Sequence, residues 1–198
     1  LTVNQRPLVV STTGIDKIYD GNTTATVTLS DNKVSDDDVT TSYTSASFLT
    51  SGAENDKTVN VSGISISGTD AANYTVNTTA ATTADINPLP VVVTPYSGLS
   101  KVYGSADPDV FDYTYSPALL GTDVITGKLG RTDGEEVGNH TFAIGTLPTA
   151  LTAGSNYLLT VASTPTFSIT KAILTVTAED KSKCYGDVSV YTETYSGF

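Results

Sequence analysis

Ile86-Asn87-Pro88-Leu89-Pro90-Val91-Val92-Val93 sets one apolar residue, Ile86, five and seven positions ahead of two more, Val91 and Val93. The same spacing stands at Val3, Leu8 and Val10, and again at Ile169, Leu174 and Val176. Ile86 lies midway between Val3 and Ile169, so the step is the same in both directions. An Asn-Tyr pair keeps that step: Asn73-Tyr74 and Asn156-Tyr157 stand equally far ahead of Ile86 and Ile169, the residues that close their units. A Lys-x-Tyr box follows it closely, as Lys17-Ile18-Tyr19-Asp20-Gly21, Lys101-Val102-Tyr103-Gly104 and Lys183-Cys184-Tyr185-Gly186. A long, fixed period marks an array of small domains.

The landmarks divide the chain. Residues 1–5 read as the end of a preceding repeat, 6–88 and 89–171 as complete repeats, and 172–198 as the start of a third, incomplete one. With no Met present, the pattern reads as a window on a longer array. A unit as long as 6–88 can bury a modest core, whereas the remnant from Ala172 onward cannot.

Asp and Glu outnumber Lys and Arg by 21 to 10, a net charge of -11. That balance argues against nucleic acid, which needs clustered cations to displace counterions. It argues equally against anionic membrane surfaces. No apolar run approaches the ~20 residues that span a bilayer. The lone Cys184 cannot form an internal disulfide. It fills the slot of Ile18 and Val102, and so reads as a small buried apolar group. Scarcity of Cys suits an exported protein that is stabilised without disulfides.

Period-two alternation and β-branched residues predict strands throughout. Thr23-Thr24-Ala25-Thr26-Val27-Thr28-Leu29 is one example, and Tyr157, Leu159 and Val161 share a face in another. The second repeat offers strands near Val91–Thr94, Lys101–Tyr103, Phe111–Tyr115, Ile125–Leu129, His140–Gly145, Tyr157–Val161 and Thr166–Thr170. The only place for a short helix is Ala118–Lys128, which Gly121, Thr122 and Val124 make poor. The expected fold is all-β: tandem small antiparallel β-sandwich (Ig-like) domains, with β-grasp-like units as the alternative. The junctions contain prolines or run on unbroken, so an array of limited bending is expected.

Few residues suggest chemistry. His140 is the only His and alternates with Phe142 and Ile144, which places it on the inward face of a strand. A metal site normally needs several such groups, and no nucleophile–base pair is legible, so no catalytic, cofactor-binding or metal-binding residue is assigned. The acidic clusters Asp36-Asp37-Asp38 and Asp107, Asp109, Asp112 match no calcium-loop spacing. They read as solvated loops, with calcium as the alternative; Glu135-Glu136 also reads as surface. Tyr19, Tyr103 and Tyr185 recur at one position and Tyr74 and Tyr157 at another, which predicts core packing with the hydroxyl bonded. Sequons at Asn22, Asn60, Asn73, Asn77 and Asn139 carry no weight in a Thr-rich chain. A Lys-Asn isopeptide crosslink would need a buried Lys, an Asn and an acid together.

The first repeat resembles the YDG domain of bacterial surface proteins. It carries Lys17-Ile18-Tyr19-Asp20-Gly21, Ser47-Phe48, Val61-Ser62-Gly63-Ile64-Ser65-Ile66-Ser67-Gly68 and Ala72-Asn73-Tyr74 in order. The second resembles the MBG domain of the YGX type. Its motifs are Lys101-Val102-Tyr103-Gly104, Thr126-Gly127-Lys128-Leu129-Gly130-Arg131, Gly134-Glu135-Glu136-Val137-Gly138, Gly145-Thr146-Leu147 and Asn156-Tyr157. His140 departs from the pattern, where an aromatic is expected. The resemblance implies large secreted bacterial proteins, often adhesin-like, with these units in tandem and no catalytic or ligand residues. The expectation is therefore a non-enzymatic spacer or stalk in an extracellular adhesin or surface filament. Its partners would be neighbouring repeats of the same polypeptide, or other copies of the chain. The rivals are a filament subunit completed by strand addition, a carbohydrate- or protein-binding module, and accessory repeats of a secreted hydrolase.

Overall fold

The computed structural model describes residues 2–144 and 156–197. They are all-β, with no α-helix; a single 3-10 turn, Ala71–Asn73, is the only helical piece among them. The Ala118–Lys128 segment holds one short turn at Gly121-Thr122 and is otherwise irregular. A β-grasp unit would need a helix across its sheet, and none is present among the described residues. Two compact units are distinguished. One comprises the residues up to 91 with 117–126 and 156–159; the other comprises 92–116, 127–144 and 160–197.

In the first unit a four-stranded sheet runs in the order Lys17–Ile18, Thr79–Asn87, Glu54–Ser62, Ser45–Phe48. Strict alternation along Glu54–Ser62 buries Lys57, Val59 and Val61 and exposes their neighbours. Val10–Ile15 pairs with Thr26–Asp31, and Thr40–Ser42 with Ser65–Ser67. Leu8, Val10, Val27, Phe48, Val59, Val61, Tyr74 and Ile86 form the core between them. Val10–Ile15 crosses close over Thr79–Asn87: a Cβ on Gly14 would lie 2.3 Å from the Thr83 carbonyl oxygen. The strand predicted from Thr23 begins only at Thr26.

The second unit pairs Val92–Pro95 with Tyr113–Ser116, and Phe167–Thr170 with Gly138–His140. Gly130–Arg131 pairs with Phe142–Ala143. Its centre is three phenylalanines, Phe111, Phe142 and Phe167, in edge-to-face contact at 5.3–6.3 Å. Phe111 lies outside any strand. Ile125–Leu129 is irregular, although Leu129 is buried. Gly127 within it has φ +97, a backbone that breaks a strand. The predicted His140–Gly145 strand is interrupted at Thr141, and Gly145 lies outside the described residues.

The antiparallel expectation needs one correction. Arg6–Leu8 runs parallel to Tyr74–Val76, Lys17–Ile18 parallel to Thr79–Asn87, and Ser100–Val102 parallel to Phe167–Thr170. Alternation reveals which face a residue takes but not the direction of its neighbour, so hairpin-like strand spacing alone could not foresee these crossovers.

Candidate functional site

The residues singled out for chemistry disperse. The half-buried His140 has its Nε2 2.9 Å from the Glu136 carbonyl oxygen. It does not share a continuous inward row with Phe142 and Ile144, because the strand breaks between them and Ile144 is exposed. Cys184 is exposed, against the expectation of burial. So are Ile18 and Val102, because the middle of each box points away from the core. Tyr103 and Tyr185 are exposed too, against the expected packing, whereas Tyr19 is partly buried.

The acidic clusters are divided among separate partners. Asp37 accepts the Tyr74 hydroxyl. Asp38 accepts Thr69 N and Oγ1, each at 3.1 Å. Both oxygens of Asp107 receive cationic side chains. Among the described residues no three His, Cys, Asp or Glu side chains are grouped to hold a metal ion. Of the sequon residues, Asn77 has a structural task. It binds both backbone groups of Val10, accepting N–H at 2.8 Å and donating to the carbonyl at 3.1 Å.

What the second unit does bring together is an ion network, with buried cations and more exposed carboxylates, that was not foreseen. Lys101 Nζ lies 2.7 Å from Asp107 Oδ1 and also donates to Glu135. Arg131 grips Asp107 at 2.7 and 2.9 Å and Glu135 at 2.5 Å, with its guanidinium 5.4 Å over the Phe167 ring. The Arg131 bonds, and then that of Lys101, hold the Asp107 carboxyl down at about 2. Asp107 and then Glu135 push the Lys101 ammonium up, and Lys101 and then Arg131 hold Glu135 below its ordinary range. These directions favour the ion pair over the neutral amine and neutral acid that amide formation needs. Lys57, the other buried lysine, donates to Thr50 Oγ1 at 2.6 Å and the Gly52 carbonyl at 2.7 Å. Lys17 does meet Asn22 Oδ1 at 3.0 Å and Asp20 at 2.7 Å. A bond between such near neighbours in sequence would close only a small loop, and Asp20 is half-exposed. Its slight burial raises its pKa, but the bonds from Lys17 and Asn22 outweigh that and hold it in the charged form.

The Asn-Tyr pairs are the second organised feature. The buried Tyr74 hydroxyl accepts Val34 N at 2.9 Å and donates to Asp37. The buried Tyr157 hydroxyl accepts Leu120 N at 2.8 Å and donates to Asp123 at 2.8 Å. In both, the donor and the acid are the ends of one turn, closed by Asp37 N to Val34 O and by Asp123 N to Leu120 O. A buried phenol thus clasps an apolar-x-x-Asp turn in each repeat. Burial, together with the Asp123 bond, pushes the Tyr157 hydroxyl up to about 12.

The Asn of the second pair reaches outside its own repeat. Within the first unit, Asn156 Oδ1 accepts Ala53 N at 2.9 Å and its carbonyl accepts Leu89 N at 2.9 Å. The neighbouring Tyr157 ring meets the Tyr19 ring edge-on, at 5.6 Å and 83°. Leu120 comes within 3.7 Å of where a Cβ on Gly21 would stand. The junction is thus a fitted contact: the box and the Gly52-Ala53 turn on one side, the Asn-Tyr strand and the Leu120 turn on the other. The repeat period exposed the Asn-Tyr pair, but not that Asn156 would bond the preceding repeat.

No curated protein and no solved structure matches the chain. Two domain families do, each covering one repeat. Residues 4–83 belong to the YDG domain and residues 91–167 to the MBG domain of the YGX type.

Proposed function

We propose that the chain is a non-enzymatic spacer segment of an extracellular bacterial adhesin or surface filament, in which tandem repeats project another part of the protein from the cell. The observation that carries this reading is the junction. Only Pro88 separates the strand Thr79–Asn87, which closes one repeat, from Leu89–Pro95, which opens the next. A single-proline connection has no slack, unlike a Gly/Ser tether. Asn156 and Tyr157 then fasten the second repeat to Ala53 and Tyr19 of the first. The start of the second repeat is therefore held to the first by side-chain and backbone bonds, all within the first unit. The acidic charge keeps neighbouring copies apart in solution. The reading assigns no catalytic residue and no cofactor.

Single-molecule pulling of the chain tests it. A spacer should give discrete unfolding steps with no compliant stretch before the first of them. Soft extension at low force, or turnover of polysaccharide or peptide substrates by the purified chain, would overturn the reading.

A further inference from the structure

The second unit carries a mainly apolar groove of about 370 Å³ lined by Tyr103, Gly104, Val137, Lys171, Ala172, Leu174 and Gly197. Strand register shows what this groove corresponds to. Ile86 pairs with Lys17 and with Glu54; Ile169 pairs with Lys101 and with Gly138. Superimposing Ile86 on Ile169 places Tyr103 where Tyr19 stands and Val137 where Ala53 stands. It also places Ala172 where Leu89 stands and Leu174 where Val91 stands. The backbone agrees: Tyr19 N donates to Asn87 O and Tyr103 N to Thr170 O, both at 2.8 Å.

The groove is therefore the counterpart of the junction in the first unit, and the difference lies in occupancy. There, Asn156, Tyr157 and Leu120 fill the site. Here the equivalent residues are bare: Tyr103 is 54% exposed, Val137 46% and Leu174 52%, whereas Val91 is fully buried. Exposed apolar side chains grouped in a concave patch mark an interaction surface.

We propose that this groove is the docking site for a further YGX-type repeat on the same polypeptide, entering as a parallel strand that carries an Asn-Tyr pair. The Asn Oδ1 takes the Val137 N–H, its carbonyl takes the Ala172 N–H, and the Tyr ring packs edge-on against Tyr103. An apolar-x-x-Asp turn, held by that Tyr hydroxyl, covers Gly104. The inference deepens the spacer reading, on which it rests, by naming what each repeat recognises in the next. It also uses the reading of residues from Ala172 onward as the opening of a third repeat. That opening supplies a hairpin, Thr175–Ala178 with Glu193–Ser196, equivalent to Val92–Pro95 with Tyr113–Ser116.

The test is to extend the chain after Phe198 with a copy of residues 119–171, which completes a third repeat with the second repeat's own sequence. Amide exchange at Val137 and Ala172 is compared in the extended and original chains. The expected result is protection of both amides by about tenfold or more in the extended chain, as for amides drawn into a stable contact. Asn156→Ala in the copy should abolish protection at Val137, and Tyr103→Ala should destabilise the extended chain but leave the original unchanged. Unaltered Val137 exchange would overturn the proposal whether or not the added repeat folds, since the groove would then be taking no such strand. Protection that rises with the concentration of the original chain would assign the groove to a second copy, and equally overturn it. Failure of the spacer reading, by compliance or by turnover, would leave this exchange result intact, so the two outcomes are separable.

Discussion

Replacing Asp107 with Asn removes one charge from the Lys101–Arg131–Glu135 network and keeps the side chain's shape. Both Asp107 oxygens face cations at 2.7–2.9 Å, and those cations are almost fully buried. Lowering the Asp107 pKa from 3.8 to about 2 corresponds to roughly 2.5 kcal/mol of differential stabilisation. Asp107 is 33% exposed, so solvent shares in solvating the charge, and about 2 kcal/mol is expected at pH 7. Glu135 cannot make up the loss, being largely exposed itself. The sign follows from the depressed value. The stabilisation is complete above the ordinary carboxylate range and is lost as pH falls through about 2. Urea titrations followed through the NMR signals of Phe167 and Ile169 would read the second unit directly. The Asp107→Asn variant should lose about 2 kcal/mol at pH 7 and under about 0.5 kcal/mol at pH 2. An equal deficit at both pH values would mean that shape, not charge, sets the cost, and would refute the reasoning.

Gly14→Ala forces a methyl to within 2.3 Å of the Thr83 oxygen and 2.8 Å of the Ala84 Cβ, so the two strands must part. A loss of roughly 1–3 kcal/mol is expected in thermal unfolding, and an unchanged midpoint would contradict the close crossing. Tyr157→Phe strands the Leu120 N–H and the Asp123 carboxylate, for an expected loss of about 1–3 kcal/mol in urea at pH 8. The Tyr157 pKa is raised, so the wild-type advantage should hold below the ordinary phenol range and fade as pH climbs through about 12. Asp20→Asn breaks a half-exposed pair with Lys17 and should cost under about 1 kcal/mol; a loss matching that of Asp107→Asn would overturn the distinction drawn between the two boxes.

Much of the fold was legible because the signals behind it are local. The period-two alternation that marked Tyr157, Leu159 and Val161 as one face depends only on neighbouring residues, and the burial follows it. The repeat period pointed to the Asn-Tyr pair, and both tyrosines are buried with bonded hydroxyls. What was not legible depends on residues far apart in sequence. Parallel pairing of Arg6–Leu8 with Tyr74–Val76 joins the opening of a repeat to a strand near its close, and nothing local encodes direction. The ion network draws Lys101, Asp107, Arg131 and Glu135 from separate stretches of the chain. Recurrence misled at Tyr103 and Cys184, because it reports that a position repeats and not which way it faces. Tyr19 is covered by Tyr157 at the junction, whereas the same position in the next box has no such cover.

The two domain types differ most plainly in how they neutralise one lysine. In each complete repeat the box lysine points inward from a short strand laid parallel to the closing strand of its unit. In the YDG repeat, Asp20 stands directly after Tyr19. It accepts Lys17 Nζ at 2.7 Å and Asn22 N at 3.1 Å, so the counter-charge is local and the box is self-sufficient. Lys17 then lies 5.6 Å over the Phe48 ring. In the YGX repeat the same position is Gly104, with φ +83, which turns the chain but supplies no acid. A buried ammonium without a partner is costly, so the acid must come from elsewhere. Asp107 and Glu135 supply it, but two carboxylates around one lysine would leave an excess of negative charge. Arg131 balances them, with its guanidinium over the Phe167 ring. In this repeat, Gly at the box position goes together with the other three charges of the network. On this account, Tyr-Asp-Gly and Tyr-Gly-x are two ways to pair the box lysine, the first closed within the box around the partly buried Lys17 and the second closed across the unit around the buried Lys101.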